Sequence, residues 1–410
     1  MTLRATAVGV LRAATGLVPD DVLVRMLPPS LRWDSSALAV STPPRGDVRL
    51  FIAPANSAGQ GYRWSRAASM HLAGVGGANM MTTNPRMSRL GFPADLTIPE
   101  TGYLFAGGWQ SRQRAAITTG FTHVLIESGR YLFGPAPWKS PLDVARQLER
   151  AGVAVGLLWH GSDIRVPSAH AAWETDSPFG ARGAYPAEST AILETNAQRH
   201  RRMILESDLP VFVSTPGLLD VPRARWLPVV VDVERWRSDR PPMKDPVPTV
   251  VYVPTNPSMK GGSTVDRALE ALEREGIIRY RRLEGIPAAE MPEIYQSADI
   301  VVDQFRLGDY GVAACEAMAA GRVVVGHVHD DVRDRVREVT GRELPIVESR
   351  FEDIAATVRL IVEGDRDRWR ARAAEGQSFV NALHDGRASA RSLAGFLGAD
   401  DGASQEGHDV

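Results

Sequence analysis

The sequence predicts an α/β protein of two doubly wound lobes, each a parallel sheet with helices on both faces. Three observations carry this prediction. Apolar β-branched runs alternate with helix-like stretches along most of the chain, a glycine-rich turn follows the first such run, and a proline-rich stretch separates one alternating series from a second. At roughly 150 residues per domain the 410 residues allow two to three domains, and a 44% hydrophobic content supplies their cores.

Residues 1–47 precede the first clear strand and read as an appended helical extension. Its first 19 residues are interrupted by Arg4 and Arg12 and lack a cleavage site after an unbroken apolar core, so they read as an amphipathic helix and not as an export signal. The first lobe is expected over 48–231. Residues 48–53 (VRLFIA) are a strand, 56–61 (NSAGQG) a glycine turn, and 62–72 a helix. Strands are expected at 122–126, 153–159 and 211–214, and helices at 141–151 and 188–206. Residues 232–248 (DVERWRSDRPPMKDPVP) hold four prolines, mixed charges and no apolar periodicity, the composition of an interdomain linker. The second lobe, 249–385, repeats the alternation: strands at 249–253, 279–283, 299–303 and 322–328, helices at 264–275, 288–297, 311–320, 351–363 and 366–381. A C-terminal helix over 386–397 and a small, polar, acidic tail over 398–410, expected to be disordered, complete the chain.

Composition excludes several classes. Lys plus Arg is 47 and Asp plus Glu is 49, a formal charge of −2, so no net basic field draws nucleic acid to the whole surface. The lone Cys315 excludes a disulfide scaffold and fits a reducing cytoplasm. No stretch approaches the ~20 apolar residues of a membrane helix. The lysines are only three (Lys139, Lys244, Lys260), an arginine bias of the kind GC-rich actinobacterial codons produce, and each lysine gains interest from its rarity.

Ligand sites in doubly wound sheets lie beyond the C-terminal ends of strands. Gly59 and Gly61 follow the first strand and permit either a phosphate at the next helix start or a plain tight turn. His160, Asp163 and Arg165 follow an apolar strand, and suit either a polar substrate or a structural histidine with a local Asp163–Arg165 pair. Lys260 leaves the first strand of the second lobe, where it can meet a diphosphate as a point charge. In 308–321 (GDYGVAACEAMAAG), helical spacing sets Glu316 on one face with Val312, Cys315 and Ala319. A carboxylate there implies either a buried arginine partner or ligand hydroxyls. The weaker candidates are His327 with His329 as a metal pair, Asp365 with Asp367 as a helix-start cluster, and the basic run 199–202 as a solvated face or a lipid contact.

These residues carry a resemblance. Residues 310–321 (YGVAACEAMAAG) look like the FG…EAMAxG segment of retaining GT-B glycosyltransferases of the family 4 type (glycosyl transferases group 1). Residues 291–302 (MPEIYQSADIVV) are similar to the helix and strand before that segment, 226–236 (WLPVVVDVERW) to its interdomain segment, and 259–262 (MKGG) to its donor loop. The likeness covers roughly residues 155–365. It implies two Rossmann-like lobes facing a central cleft, an acceptor side formed by the first lobe, and a nucleotide-sugar donor held by the second without metal or cofactor. Carried over by position, His160, Lys260 and Asp309 have catalytic roles, and Gly59, Gly61, Thr255, Lys260, Tyr310, Gly311, Val312 and Glu316 bind the donor. Asp163 and Arg165 are sugar or acceptor contacts. Two positions depart from the family pattern: Gly308, with Asp309 beside it, stands where the first of two glutamates belongs, and Thr255 where an arginine belongs.

The resulting expectation is a cytoplasmic, metal-independent, retaining hexosyltransferase of bacterial glycan or glycoconjugate synthesis. Its acceptor is a glycan, a lipid-linked or a small molecule, with a peripheral contact at the inner face of the membrane and no nucleic-acid partner. The alternatives are a nucleotide-sugar epimerase on the same fold and a non-catalytic nucleotide-sugar-binding partner protein.

Overall fold

A computed structural model of the chain describes residues 19–34, 38–135, 140–254 and 257–399. Strands β1 (Val48–Ala53), β2 (Val75–Thr83), β3 (Leu96–Pro99), β4 (His123–Glu127), β5 (Ala154–Trp159), β6 (Val211–Val213) and β7 (Ala224–Trp226) form one sheet in the order β3-β2-β1-β4-β5-β6-β7. Strand β1 runs parallel to β2 and β4, β2 to β3, and β4 to β5. Strands β8 (Thr249–Tyr252), β9 (Arg279–Arg282), β10 (Ile300–Val302), β11 (Val323–Gly326) and β12 (Val347–Glu348) form a second sheet, parallel throughout, in the order β12-β11-β10-β8-β9. In each sheet the winding reverses once near the first strand, between β1 and β4 and between β8 and β10.

Most expected elements are present with ends shifted by one to three residues. Strands β2, β3, β7 and β12 are additions to the expected elements. Strand β2 opens with Gly76 and Gly77, poor strand formers in isolation. Their reason is close approach: a Cβ on Gly77 would lie 2.3 Å from the carbonyl oxygen of Ser65 in helix Gln60–His71, and one on Gly76 would lie 2.0 Å from that of Arg45.

By contacts the chain divides into two units that are each discontinuous. The first holds the residues up to His160, Met203–Phe212 and the segment from Ala390 onward; the second holds Gly161–Arg202 and Val213–Ser389. In the extension, helix Asp20–Met26 is tied down by Asp20, whose carboxylate accepts from the backbone N–H groups of Gly108 (3.0 Å) and Trp109 (2.9 Å) at the start of helix Gly107–Gly120. Residues 1–18 and 400–410 lie outside the described residues. Among the described residues no helix is long and apolar enough to cross a membrane.

The stretch 232–248 differs from the loose linker its composition suggests. It lies within the second unit, carries helix Val233–Trp236, and buries Trp236 and Met243. Asp299, fully buried, holds it to the sheet: its carboxylate accepts from the backbone N–H groups of Met243 and Thr249, each at 2.8 Å, and pairs with Arg240 at 3.0 Å. Buried Arg322 completes the knot by donating to the carbonyls of Ala320 (2.7 Å), Ala298 (2.8 Å) and Arg240 (2.7 Å).

A second charge cluster, built on buried His327 and Glu174, joins the Gly161–Arg202 segment to the second sheet. His327 Nε2 lies 2.8 Å from Glu174 Oε2 and Nδ1 lies 2.5 Å from Glu348 Oε1, while Arg350 bonds Glu174 and Arg333 bonds Glu348. Both ring nitrogens are committed to carboxylates, so His327 has no lone pair for the metal pair with His329. Burial pulls His327 down, but the bonds to Glu174 and Glu348 outweigh it and hold its pKa at about 9. Burial pushes Glu174 up, and the bonds from His327 and the Asp176 N–H outweigh that and bring it to about 2.

Two predictions follow from these clusters. Asp299→Ala strands buried N–H groups and Arg240, and is expected to destabilise the second unit by about 3 kcal/mol in urea unfolding; a loss below about 1 kcal/mol would count against the knot. The folded value of His327, about 9, lies above its ordinary 6.5, so its contribution is whole below pH 6.5 and is lost as pH rises to 9. The contribution of Glu174 is whole above pH 4.5 and is lost as pH falls toward 2. His327→Gln should abolish the alkaline fall, roughly 3 kcal/mol; an unchanged slope between pH 6.5 and 9 would refute the assignment.

Candidate active site

Each sheet brings polar groups together where its winding reverses, the place where open α/β sheets hold ligands. In the first unit the loop after β1 is folded tightly, with Asn56, Ala58 and Gly59 all left-handed (φ 49°, 51° and 74°). Two non-glycine residues in that conformation mark a backbone held by its surroundings. The holder is Glu127, the last residue of β4 and fully buried, whose Oε2 accepts from the backbone N–H groups of Ala55 (2.8 Å) and Asn56 (2.9 Å). Asn56 is buried too: its Oδ1 accepts from the Tyr62 N–H at 2.9 Å, and its Nδ2 donates to the Pro93 carbonyl at 2.9 Å.

His160 follows β5 and reaches the same point. Its Nε2 lies 3.0 Å from Glu127 Oε1, its side chain is 11% exposed, and its ring stacks on Trp64 with centroids 5.7 Å apart and planes 19° apart. Gly61 keeps this point uncrowded, because a Cβ would sit 3.2 Å from both Glu127 Oε1 and Asn56 Oδ1. Trp64, where a dinucleotide fingerprint has its third glycine, is fully buried as the plate beneath the imidazole. The structure therefore brings Gly59, Gly61 and His160 together. It adds Glu127, which sequence reasoning missed; a carboxylate ending an apolar strand was the available signal.

In the second unit the loops leaving β8 and β10 are joined by an ion pair. Lys260 ends the helical turn Pro257–Lys260, and its Nζ lies 2.7 Å from Oδ1 of Asp303, the buried residue after β10. Thr255 lies outside the described residues. Further along the loop from β10, Asp309 is only 2% exposed, and burial pushes its pKa up. Its Oδ2 accepts from Thr215 Oγ1 (2.7 Å) and Arg165 (3.3 Å), and its Oδ1 from the Tyr310 N–H (2.9 Å). Gly217 leaves room for that carboxylate, since a Cβ there would come within 2.4 Å of Oδ2. Arg165 thus spends its guanidinium on Asp309, while Asp163 accepts from the Gly161 N–H at 2.8 Å and shapes the turn after β5.

Gly311 begins helix Val312–Ala319, and a Cβ on it would meet no atom of the described residues within 4 Å. Tyr310 is buried, with its hydroxyl 3.4 Å from His384 Nε2. The expected shared face of this helix is graded: Cys315 and Ala319 are buried, Val312 and Glu316 half-buried. Gly308 has φ 58°, and a Cβ there would lie 2.8 Å from Glu174 Oε2 and 3.2 Å from Trp173 and His329. No side chain fits at the position where the resembling family carries its first glutamate.

Comparison of the sequence with protein-family models and with curated proteins gives no match. Solved structures match across most of the chain. Anabaena HepE, in complex with UDP and glucose, is 11% identical with a TM-score of 0.56, covering 85% of this chain and 98% of that one. An α-glucosyltransferase in complex with UDP-glucose and abasic DNA is 12% identical with a TM-score of 0.54, covering 85% and 98%. The sucrose-phosphate synthase of Thermosynechococcus elongatus is 15% identical with a TM-score of 0.51, covering 84% and 97%. At such identities the likeness is one of fold, and the fold of this chain, with its parallel seven- and five-stranded sheets, is that of the GT-B glycosyltransferases.

Proposed function

We propose that this chain is a glycosyltransferase that moves a hexosyl group from a nucleotide-sugar to a hydroxyl acceptor, with retention and without a metal, in bacterial glycan or glycoconjugate synthesis. The observation that carries the reading is the Lys260–Asp303 pair at the winding reversal of the second sheet, together with the uncrowded helix start at Gly311. UDP-glucose is the first donor to try, since structures of the same fold hold UDP and UDP-glucose.

The chemistry follows from charge. A departing nucleoside diphosphate gains negative charge as the glycosidic bond breaks; Lys260 exchanges Asp303 for that diphosphate, and the amides at the start of helix Val312–Ala319 face it. Glu316, one turn into that helix, accepts from the ribose hydroxyls. By the resemblance, His160 orients the sugar and the loop carrying Gly59 and Gly61 contacts the donor. Asp309 acts through the turn it holds, fixing Tyr310 and Arg165. The free, buried Cys315 accords with a cytoplasmic place of action, and a peripheral contact with the inner membrane face belongs to the same reading.

A donor-binding protein without turnover is the second reading, favoured by Gly308, where no side chain can take the place of the family glutamate. One experiment separates the two. In EDTA, UDP or UDP-glucose at about 100 times its dissociation constant should add ~2.7 kcal/mol to thermal stability. Lys260→Ala and Glu316→Ala should each lose most of that shift. Release of UDP from UDP-glucose in the presence of glycan or lipid-linked acceptors marks the transferase; binding without release marks the binder; no shift with any nucleotide-sugar refutes both.

A further inference from the structure

We propose that Glu127 is the positioning residue for His160: it keeps the imidazole proton on Nε2, so that Nδ1 carries the lone pair, and it ties the loop after β1 to the same carboxylate. The consequence for turnover rests on the reading above, in which His160 meets the donor sugar.

The donors around Glu127 fix what each of its oxygens can do. Oε2 receives the backbone N–H groups of Ala55 at 2.8 Å and Asn56 at 2.9 Å. A backbone amide can only donate, so Oε2 acts as a pure acceptor toward two of them. The other oxygen, Oε1, stands 3.0 Å from His160 Nε2. Between an ionised carboxyl group and a neutral imidazole, the only hydrogen bond possible across that gap has Nε2–H donating, which assigns the tautomer of the neutral ring. Burying this carboxylate with no donors would cost several kcal/mol, and the fold directs three toward it.

The ring is confined as well as protonated. Trp64 lies nearly parallel to it at 5.7 Å, and Gly61 leaves the space that Oε1 needs. Three sequence-distant pieces, the loop after β1, the end of β4 and the residue after β5, thus share one carboxyl group. A carboxylate behind a histidine that sets its tautomer is a recurrent device, and in a serine-protease triad the amide replacement costs about 10⁴ in kcat by selecting the wrong tautomer.

Glu127→Gln tests this directly. The amide oxygen must take the place of Oε2, because Ala55 and Asn56 still need an acceptor; the amide NH2 then faces His160 Nε2 and drives the proton to Nδ1. In the full-length protein with ¹⁵N-labelled histidine, His160 is assigned by its loss in His160→Gln. The wild type is expected to show the Nε2–H tautomer and Glu127→Gln the Nδ1–H tautomer. With UDP-glucose as the probe, UDP release should fall by about 10²- to 10⁴-fold in kcat, with KM changed only a few-fold. A wild-type spectrum with the proton on Nδ1, or a Glu127→Gln spectrum with unchanged tautomer, overturns the proposal. If Glu127→Gln fails to fold, the wild-type spectrum alone decides. The tautomer is read without any donor, so a wild type that shows Nε2–H yet neither binds nor cleaves UDP-glucose refutes the proposed function and leaves the role of Glu127 toward His160 standing.

Discussion

A carboxylate removed from water must be met by donors, and that constraint organises both units. In the first, Glu127 gathers a loop, a strand end and a histidine because nothing less than their combined N–H groups satisfies it. In the second, Asp299 secures the chain entering the sheet, Asp303 secures Lys260, and Asp309 secures the turn before helix Val312–Ala319. Glu127 ends β4, Asp299 and Asp303 flank β10, and Asp309 lies further along the loop that leaves β10. The geometry is dictated by topology: parallel strands deliver their ends to one edge of the sheet, and the backbone groups left unpaired there are the donors that buried carboxylates need.

The fold was largely legible because strands of a parallel sheet are buried on both faces and so read as unbroken apolar runs. The runs at β1, β5, β8 and β11 are of that kind. Strand β2 was hidden by Gly76 and Gly77, which are chosen for close packing against Ser65 and Arg45 and not for strand propensity. The candidate site was legible in part. Lys260, His160 and the glycine loop could be picked out because their residue types are rare or conspicuous in those places. Glu127 offered only the weak signal of a carboxylate closing an apolar strand, which resembles a solvated end, since its partners stand 71 and 72 residues earlier and 33 later. Asp309 was legible as a charge near the expected glutamate, but its enclosure by Thr215 and Arg165 depends on contacts 94 and 144 residues away.

The two charge arrangements in the second unit differ in what they allow. Lys260 and Asp303 form a single pair between two loops, with side-chain exposures of 14% and 6%, and the cation there can change partners without rebuilding the sheet. The cluster of His327, Glu174, Glu348 and Arg350 is a different case, because each member holds at least one other and Gly308 is packed against it. A substitution that placed a side chain at 308 would adopt a left-handed backbone and press on Glu174 Oε2 within that cluster. The glycine is therefore a structural requirement of this chain, independent of any loss or gain of catalytic function.

The discontinuity of the units has a consequence for how the molecule comes into being. The first unit includes the segment from Ala390 onward, where Phe396 packs edge-on to His123 at 5.2 Å and lies 5.9 Å from Phe212. Its early strands leave the ribosome long before that helix exists: the 230 residues from 160 to 390 take about 10–50 s at roughly 5–20 residues per second. Throughout that interval the face that receives Phe396 is uncovered, while the whole of the second unit has time to form within what is topologically an insertion. Part of the first unit's packing therefore waits on residues that are made only after those of the second unit.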